Sequence, residues 1–216
     1  MRIGFLHTAD VHQITFDKLL NAYPEARAEH RIHPEWLSRA QQEGLTTDLQ
    51  QLVTQALTEL AATNDAVVCT CSTLGPIVDL LQQTKILRVD QPMMARAVRH
   101  SPVLLVMCVA STVPVSTALL QAEFSRQQQP EAMQTLLCES AWAFFEQGDL
   151  TAYGRAIADA VCDAVGANPE LKCIVLAQAS MRAAEPYLEH LDIPVLSSPE
   201  LAVERAVALA AQQAQT

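Results

Sequence analysis

The sequence predicts an α/β fold of two pseudo-symmetric lobes, each a parallel sheet flanked by helices, with an active-site cleft between them. Three observations carry that prediction. Short apolar runs of strand length alternate with stretches of helical periodicity, the pattern of successive βαβ units. Half of the 216 residues are hydrophobic while aromatics make up only 5%, a composition that suits Ala-, Leu- and Val-rich helices layered on a sheet. Finally, the chain repeats itself. A shift of 107 residues lays Val67 and Val68 over Ile174 and Val175, Leu81 over Leu188, Val89 over Leu196 and Pro92 over Pro199, with no gap from Val67 onward. Both copies read strand, helix, strand, then Pro in the first turn of a helix.

In chain order, strands are expected at "RIGFLHT" (2–8), "AVVCTC" (66–71), "KILRV" (85–89), "VLLVMCVA" (103–110), "CIVLAQ" (173–178) and "IPVLS" (193–197). A helix is expected in "TTDLQQLVTQALTELAAT", capped by Thr46 or Thr47, because its apolar residues recur at helical spacing. "LTAYGRAIADAVCDAVGA" follows the same rule and ends near Gly166, and a further helix is placed at 74–82. The segments 22–45 and "QTLLCESAWAFFEQG" fit strand and helix patterns equally. No linker separates the lobes, which divide as residues 1–98 with 198–216, the returning C-terminal helix, and 99–197.

The formal net charge of -10, with no Lys or Arg run to offset it, argues against nucleic acid as a partner. Cysteines at 69, 71, 108, 138, 162 and 173 fall at irregular intervals, several within apolar runs, which reads as free thiols used as small hydrophobes. The start "MRIGFLHTADVHQ" lacks the features of a secretory leader, and the apolar stretch "VLLVMCVASTVPV" is too short to span a bilayer. A reduced, cytoplasmic protein without a membrane partner is expected, with a homodimer as the default assembly.

The chemistry concentrates at strand ends, where parallel α/β sheets bind ligands. "VVCTCSTLGP" ends a strand with Cys71 and continues with Ser72 and Thr73 into the helix at 74–82. A thiol there is expected to feel the helix N-terminus and have its pKa lowered, while Ser72 and Thr73 offer amides and hydroxyls to a carboxylate. An isolated C-x-C is more often buried filler; the strand-end position and the repeat favour function, and Cys69, on the opposite face, reads as core. In the overlay Cys71 falls on Gln178, Ser72 on Ala179 and Thr73 on Ser180. "VASTVPVS" sets Ser111, Thr112 and Ser116 at another strand-to-helix corner, where ordinary N-capping is the competing role. His30 and His33 form an H-x-x-H without companion ligands, so no metal is expected. "FLHTADVH" resembles the first block of metallophosphoesterases, but the chain has neither of the other metal-binding blocks that a two-metal site needs. Asp10 and His12 are therefore read as loop polar groups, and His7 and Thr8 as the end of the first strand.

Taken together, "FLHT", "CTCSTLG", "RVDQPMMARAV", "VASTVPVSTALL" and "CIVLAQASM" resemble, in order and spacing, the aspartate/glutamate/hydantoin racemase family. The resemblance covers nearly the whole chain. It implies no cofactor and no metal, a small carboxylate-bearing substrate, and two cysteines that exchange protons on opposite faces of the carbon next to that carboxylate. The first carries over to Cys71, with Ser72 and Thr73 binding the carboxylate and Thr8, Ser111 and Thr112 assisting. The second should stand at 178, flanked by Ala179 and Ser180, but the residue there is Gln178, whose amide cannot titrate. Three functions remain: a racemase or epimerase, a single-cysteine decarboxylase or lyase, and a non-catalytic carboxylate-binding protein. Some family members decarboxylate substituted malonates with one cysteine, although theirs is the second position.

Overall fold

Each central strand is an apolar run because both of its faces are covered, and the computed structural model, which describes residues 1–213, builds two parallel sheets on such runs. The chain divides into two units, Met1–Pro92 with the segment from Pro199 onward, and Met93–Ser198.

The first unit contains β1 (Arg2–His7), α1 (Asp10–Leu20), β2 (Arg27–Ile32), α2 (Pro34–Glu43), α3 (Thr47–Thr63), β3 (Ala66–Cys69), a 3₁₀ turn (Ser72–Leu74), α4 (Gly75–Leu81) and β4 (Ile86–Arg88). Its strands pair in parallel in the order β2-β1-β3-β4. Thr46 caps α3 by accepting from the Leu49 amide. The helix then buries Leu49, Val53, Leu57 and Leu60 in one cluster with Leu6, Val67 and Ile77.

After α5 (Gln91–Ala97), which opens at the division, the second unit repeats the plan. It runs β5 (Val103–Met107), α6 (Thr112–Arg126), β6 (Met133–Leu137), α7 (Glu139–Glu146), α8 (Leu150–Ala167), β7 (Cys173–Leu176), a 3₁₀ turn (Ala179–Ala184), α9 (Glu185–Leu188) and β8 (Val195–Ser197). The order is β6-β5-β7-β8, again parallel. Asp149 caps α8, whose Tyr153, Ile157 and Val161 pack with Leu104, Val106, Ile174 and Leu176. α10 (Ser198–Gln213) carries the chain back into the first unit.

Several boundaries differ from the sequence expectation, each for a local reason. The strands ending at β3, β5 and β7 stop two or three residues early, because the chain must turn before the residues that begin the next helix. Two strands were not separable from helix: β2 ("RAEHRI") and β6 ("MQTLL") are edge strands, partly exposed along their length, and carry no continuous apolar run. The division falls after Pro92, and the Ala95 carbonyl in α5 accepts from Gln127 Nε2 beside α6. The gapless overlay slips by two across β4 and β8, where two more residues separate β7 from β8 than separate β3 from β4, and recovers at the following helix. Val67 pairs with Ile86, but Ile174 pairs with Val195, not with residue 193. The first unit keeps two residues, Val89 and Asp90, between β4 and the next helix that the second unit lacks between β8 and α10.

That extra pair holds an ion pair. Arg88, on β4, donates from Nε to Asp90 Oδ1 and from Nη2 to Asp90 Oδ2, both at 2.9 Å, and from Nη1 to Asp79 Oδ2 at 2.5 Å. Arg88 and Asp90 are buried, and the guanidinium lies so close to Gly75 that a Cβ there would come within 2.5 Å of it. The pair therefore braces the turn that follows Cys71. Among the described residues no helix is long and apolar enough to cross a membrane. Replacing Asp90 with Ala leaves a buried guanidinium sharing only the exposed Asp79, and is expected to cost about 3–5 kcal/mol in chemical denaturation. A loss below about 1 kcal/mol, the value of an exposed pair, would show that water reaches the pair.

Candidate functional site

Cys71 sits where β3 has ended and the chain tightens into the 3₁₀ turn, of which it is the cap, with φ -104° and ψ 111°. Its carbonyl accepts from the Leu74 amide at 3.1 Å, closing that turn. The thiol is buried, 7% exposed, and burial raises its pKa. Working against burial are four hydrogen-bond donors at the sulfur: the Thr8 hydroxyl, the Leu74 and Thr73 amides, and the Thr73 hydroxyl. Burial prevails, so the net direction is upward. The expectation of a lowered pKa is corrected for that reason, and because a short 3₁₀ turn rather than a long helix stands at the thiol. The resting group is a neutral thiol, surrounded by donors that favour its thiolate.

Thr8, Ser72 and Thr73 are all buried around this turn. Cys69 lies in the core, its own pKa pushed up to about 12 by burial, and it donates weakly to the Cys71 carbonyl at 3.9 Å. Asp10 and His12, read as loop groups, begin α1; His12 is buried and held neutral, its pKa pushed down to about 4 by burial.

The second unit has the same turn at the same topological place. Gln178 caps its 3₁₀ turn with φ -106° and ψ 139°, and its carbonyl accepts from the Met181 amide at 2.9 Å. Register identifies further counterparts. The Thr70 amide donates to the Leu6 carbonyl and the Ala177 amide to the Val106 carbonyl, so Thr8 in the first unit corresponds to Cys108 in the second. Where Thr8 donates its hydroxyl to Cys71, Cys108 donates its backbone amide to Gln178 Oε1 at 2.6 Å. The thiol of Cys108 points elsewhere, to Tyr153, and burial pushes its pKa up to about 12. Tyr153 in turn hydrogen-bonds Ser180 Oγ at 3.0 Å, and burial raises the pKa of its phenol. Ala179 is buried in the same turn. Cys173, at the opposite end of β7, stays in the core with its pKa pushed up to about 12 by burial.

At the start of α6 the corner is more mixed. The Thr112 hydroxyl donates to Val109 O at 2.5 Å, the ordinary capping role. Ser111 Oγ and Ser116 Oγ are buried without a hydrogen-bond partner. Among the described residues no cluster of His, Cys, Asp and Glu is arranged to hold a metal ion. His33 stacks on Trp36 and hydrogen-bonds Glu35, while His30 joins a different group.

Sequence reasoning missed two features beside Cys71. One is the Arg88–Asp90 brace. The other is a row of hydrogen bonds from Thr70 through His7 and His30 to Asp17. Its only sequence signal was three histidines within the first 30 residues, and pairing them needed the unforeseen strand β2.

No protein-family model matches this sequence, and no curated protein matches it. Solved structures do. An aspartate racemase from Picrophilus torridus matches over 97% of this chain and 94% of its own, with a TM-score of 0.74 at 15% identity. The fold is that of the aspartate and glutamate racemases. A glutamate racemase from Bacillus anthracis superposes over 98% of this chain and 82% of its own, with a TM-score of 0.74 at 14% identity. A glycine-to-cysteine mutant of arylmalonate decarboxylase also shares this racemase fold, over 98% of this chain and 94% of its own, with a TM-score of 0.60 at 15% identity.

The turn at Gln178 is packed with no space to spare, since a Cβ on Gly154 of α8 would collide with the Ala183 carbonyl. Gly154→Ala is expected to destabilise the protein by about 1–3 kcal/mol, the range for overpacking, and to break the Tyr153–Ser180 hydrogen bond. Denaturation and a crystal structure of the variant check both; unchanged stability would mean that the turn yields freely.

Proposed function

We propose that this chain is a cofactor-independent enzyme of racemase type that moves a proton at the carbon next to a carboxylate, with Cys71 as its acid–base group. One observation carries the reading: a buried thiol capping the tight turn after β3, with Thr8, Ser72 and Thr73 buried around the same turn. Such a group is matched to the chemistry. The thiol gives its proton to a carbanionic carbon, the sulfur keeps the electron pair of the S–H bond, and the resulting thiolate is held by the Thr8 and Thr73 hydroxyls and the Thr73 and Leu74 amides. In reverse, the thiolate takes the substrate proton and the electron pair stays on carbon, delocalised into the carboxylate.

Ser72 is the proposed carboxylate binder of this turn, and Thr73, expected beside it in that role, has its amide and hydroxyl committed to the sulfur. At α6, Ser111 has support from its unpartnered buried hydroxyl, whereas the Thr112 hydroxyl is already spent on Val109. Ala179 and Ser180 complete the proposed set. An acidic chain can hold an acidic ligand this way, because amides act at contact range while surface charge is screened over about 8 Å.

A second reading, decarboxylation, is favoured by Gln178. Inversion needs a proton carrier on each face of the carbon, and an amide cannot titrate. In a decarboxylation one acid suffices: the C–C bond breaks, carbon dioxide leaves, and Cys71 protonates the carbanion.

The test is incubation in heavy water with acidic amino acids, hydantoins and 2-substituted malonates, following deuterium and chirality together. Proton exchange that disappears in Cys71→Ala and persists in Cys108→Ala is the expected result. Exchange with inversion selects the racemase, and carbon dioxide release with a deuterated product selects the decarboxylase. Ligand binding without exchange or carbon dioxide release, unaffected by Cys71→Ser, would replace both with a binding protein.

A further inference from the structure

The buried polar residues behind Cys71 form a continuous line. Thr70 Oγ1 lies 2.8 Å from His7 Nδ1, His7 Nε2 lies 2.8 Å from His30 Nδ1, and His30 Nε2 lies 3.0 Å from Asp17 Oδ1. Thr70 Oγ1 is also 3.0 Å from the Leu6 carbonyl. The line runs from the residue before Cys71, on the inner side, to a carboxylate that is half exposed.

With His7 held neutral by its burial, counting hydrogens leaves two arrangements. The ionised Asp17 only accepts, so His30 carries hydrogen on Nε2 in both. If His30 is neutral, its Nδ1 accepts from His7 Nε2–H. His7 Nδ1 is then bare and accepts from the Thr70 hydroxyl. If His30 is cationic, its Nδ1–H donates to His7 Nε2. His7 then carries its hydrogen on Nδ1 and donates it to Thr70 Oγ1, and the Thr70 hydroxyl turns to the Leu6 carbonyl. The two arrangements differ by one proton taken from water.

We propose that His7 and His30 are positioning residues for Cys71, forming a relay of hydrogen-bond direction, not of a migrating proton, in which protonation of His30 reverses the tautomer of His7 and reorients the Thr70 hydroxyl. The relay grips both flanks of the site, since His7 precedes Thr8 and Thr70 precedes Cys71.

The surroundings fit a relay in which His7 itself never charges. It is fully buried, with rings of Phe5 and Phe16 against it at centroid distances of 5.9 and 5.6 Å. Burial, then the neighbouring His12 and His30, push its pKa down to about 2. The titratable and charged groups facing the line are His12 and Asp17 from α1 and His30 from β2, while Cys71 packs with Leu6 and Cys69. The two charged neighbours of His30 along β2 are engaged elsewhere, Glu29 with Asn64 and Arg31 with Glu59. Asp17 borders an open surface depression of about 450 Å³ with Tyr23 and Arg27, so the outer end meets bulk water.

The proposal uses the preceding section only in taking Cys71 as the group to be positioned, and its test needs no turnover. Nitrogen-15 spectra of the histidine rings would be followed between about pH 5 and 8, assigned with single His→Gln variants. His7 is expected to stay neutral and switch from Nε2–H to Nδ1–H at the pH where His30 gains its second hydrogen. A His7 that keeps one tautomer throughout, or becomes cationic, overturns the relay. Alkylation of Cys71 by iodoacetamide, read by mass spectrometry, is expected to show a step at that same pH, lost in His30→Gln. A rate without the step overturns the coupling to Cys71 while leaving the catalytic proposal to its own exchange experiment.

Discussion

A sulfur atom taken out of water must either keep its proton or find donors, and the first unit is arranged around that constraint at Cys71. Burial chiefly pushes the thiols of Cys69 and Cys173 up to about 12. What distinguishes Cys71 is the tight turn after β3, which aims the Thr73 and Leu74 amides at the sulfur and brings in the Thr8 and Thr73 hydroxyls. The supports behind it follow from the same need. Arg88 and Asp90 brace the Gly75 side of the turn, and the histidine row ties Thr70 to the end of β1. A donor set is useful only if it is held in place before the charge appears.

The repeated topology makes the second unit an internal control. The same backbone turn, with nearly the same φ, is built at Gln178 without a titratable side chain. Its carbonyl oxygen is fixed on the Cys108 amide, and the thiol next door is turned to Tyr153. Two positions related by the repeat therefore carry different chemistry at caps of similar backbone conformation. The racemase fold tolerates such divergence because the turn is set by strand ends and main-chain hydrogen bonds, not by the residue at its cap.

Much of this was legible in the sequence, and the limits have physical causes. The central strands stand out because burial on both faces requires unbroken apolar runs, as at Val103–Met107. The edge strands β2 and β6 carry no such requirement and were hidden. The repeat located both caps, Cys71 and Gln178, although its gapless form missed the two extra residues that provide Asp90. Strand-end position pointed to Cys71 but gave the wrong sign for its pKa, since desolvation depends on packing that sequence does not record. The histidine row was invisible for a related reason: it pairs residues 7, 30 and 70, and only the register of β2, β1 and β3 brings them together.

Titration of the Cys71 thiolate tests the account most directly. Its ultraviolet absorbance, taken as the difference between the protein and Cys71→Ala, would be followed with pH in the parent and in Thr8→Val. The account predicts a parent transition above the ordinary thiol value of 9.0 and a further upward displacement when the Thr8 donor is removed. A transition in the neutral range, or one that Thr8→Val leaves in place, would contradict it.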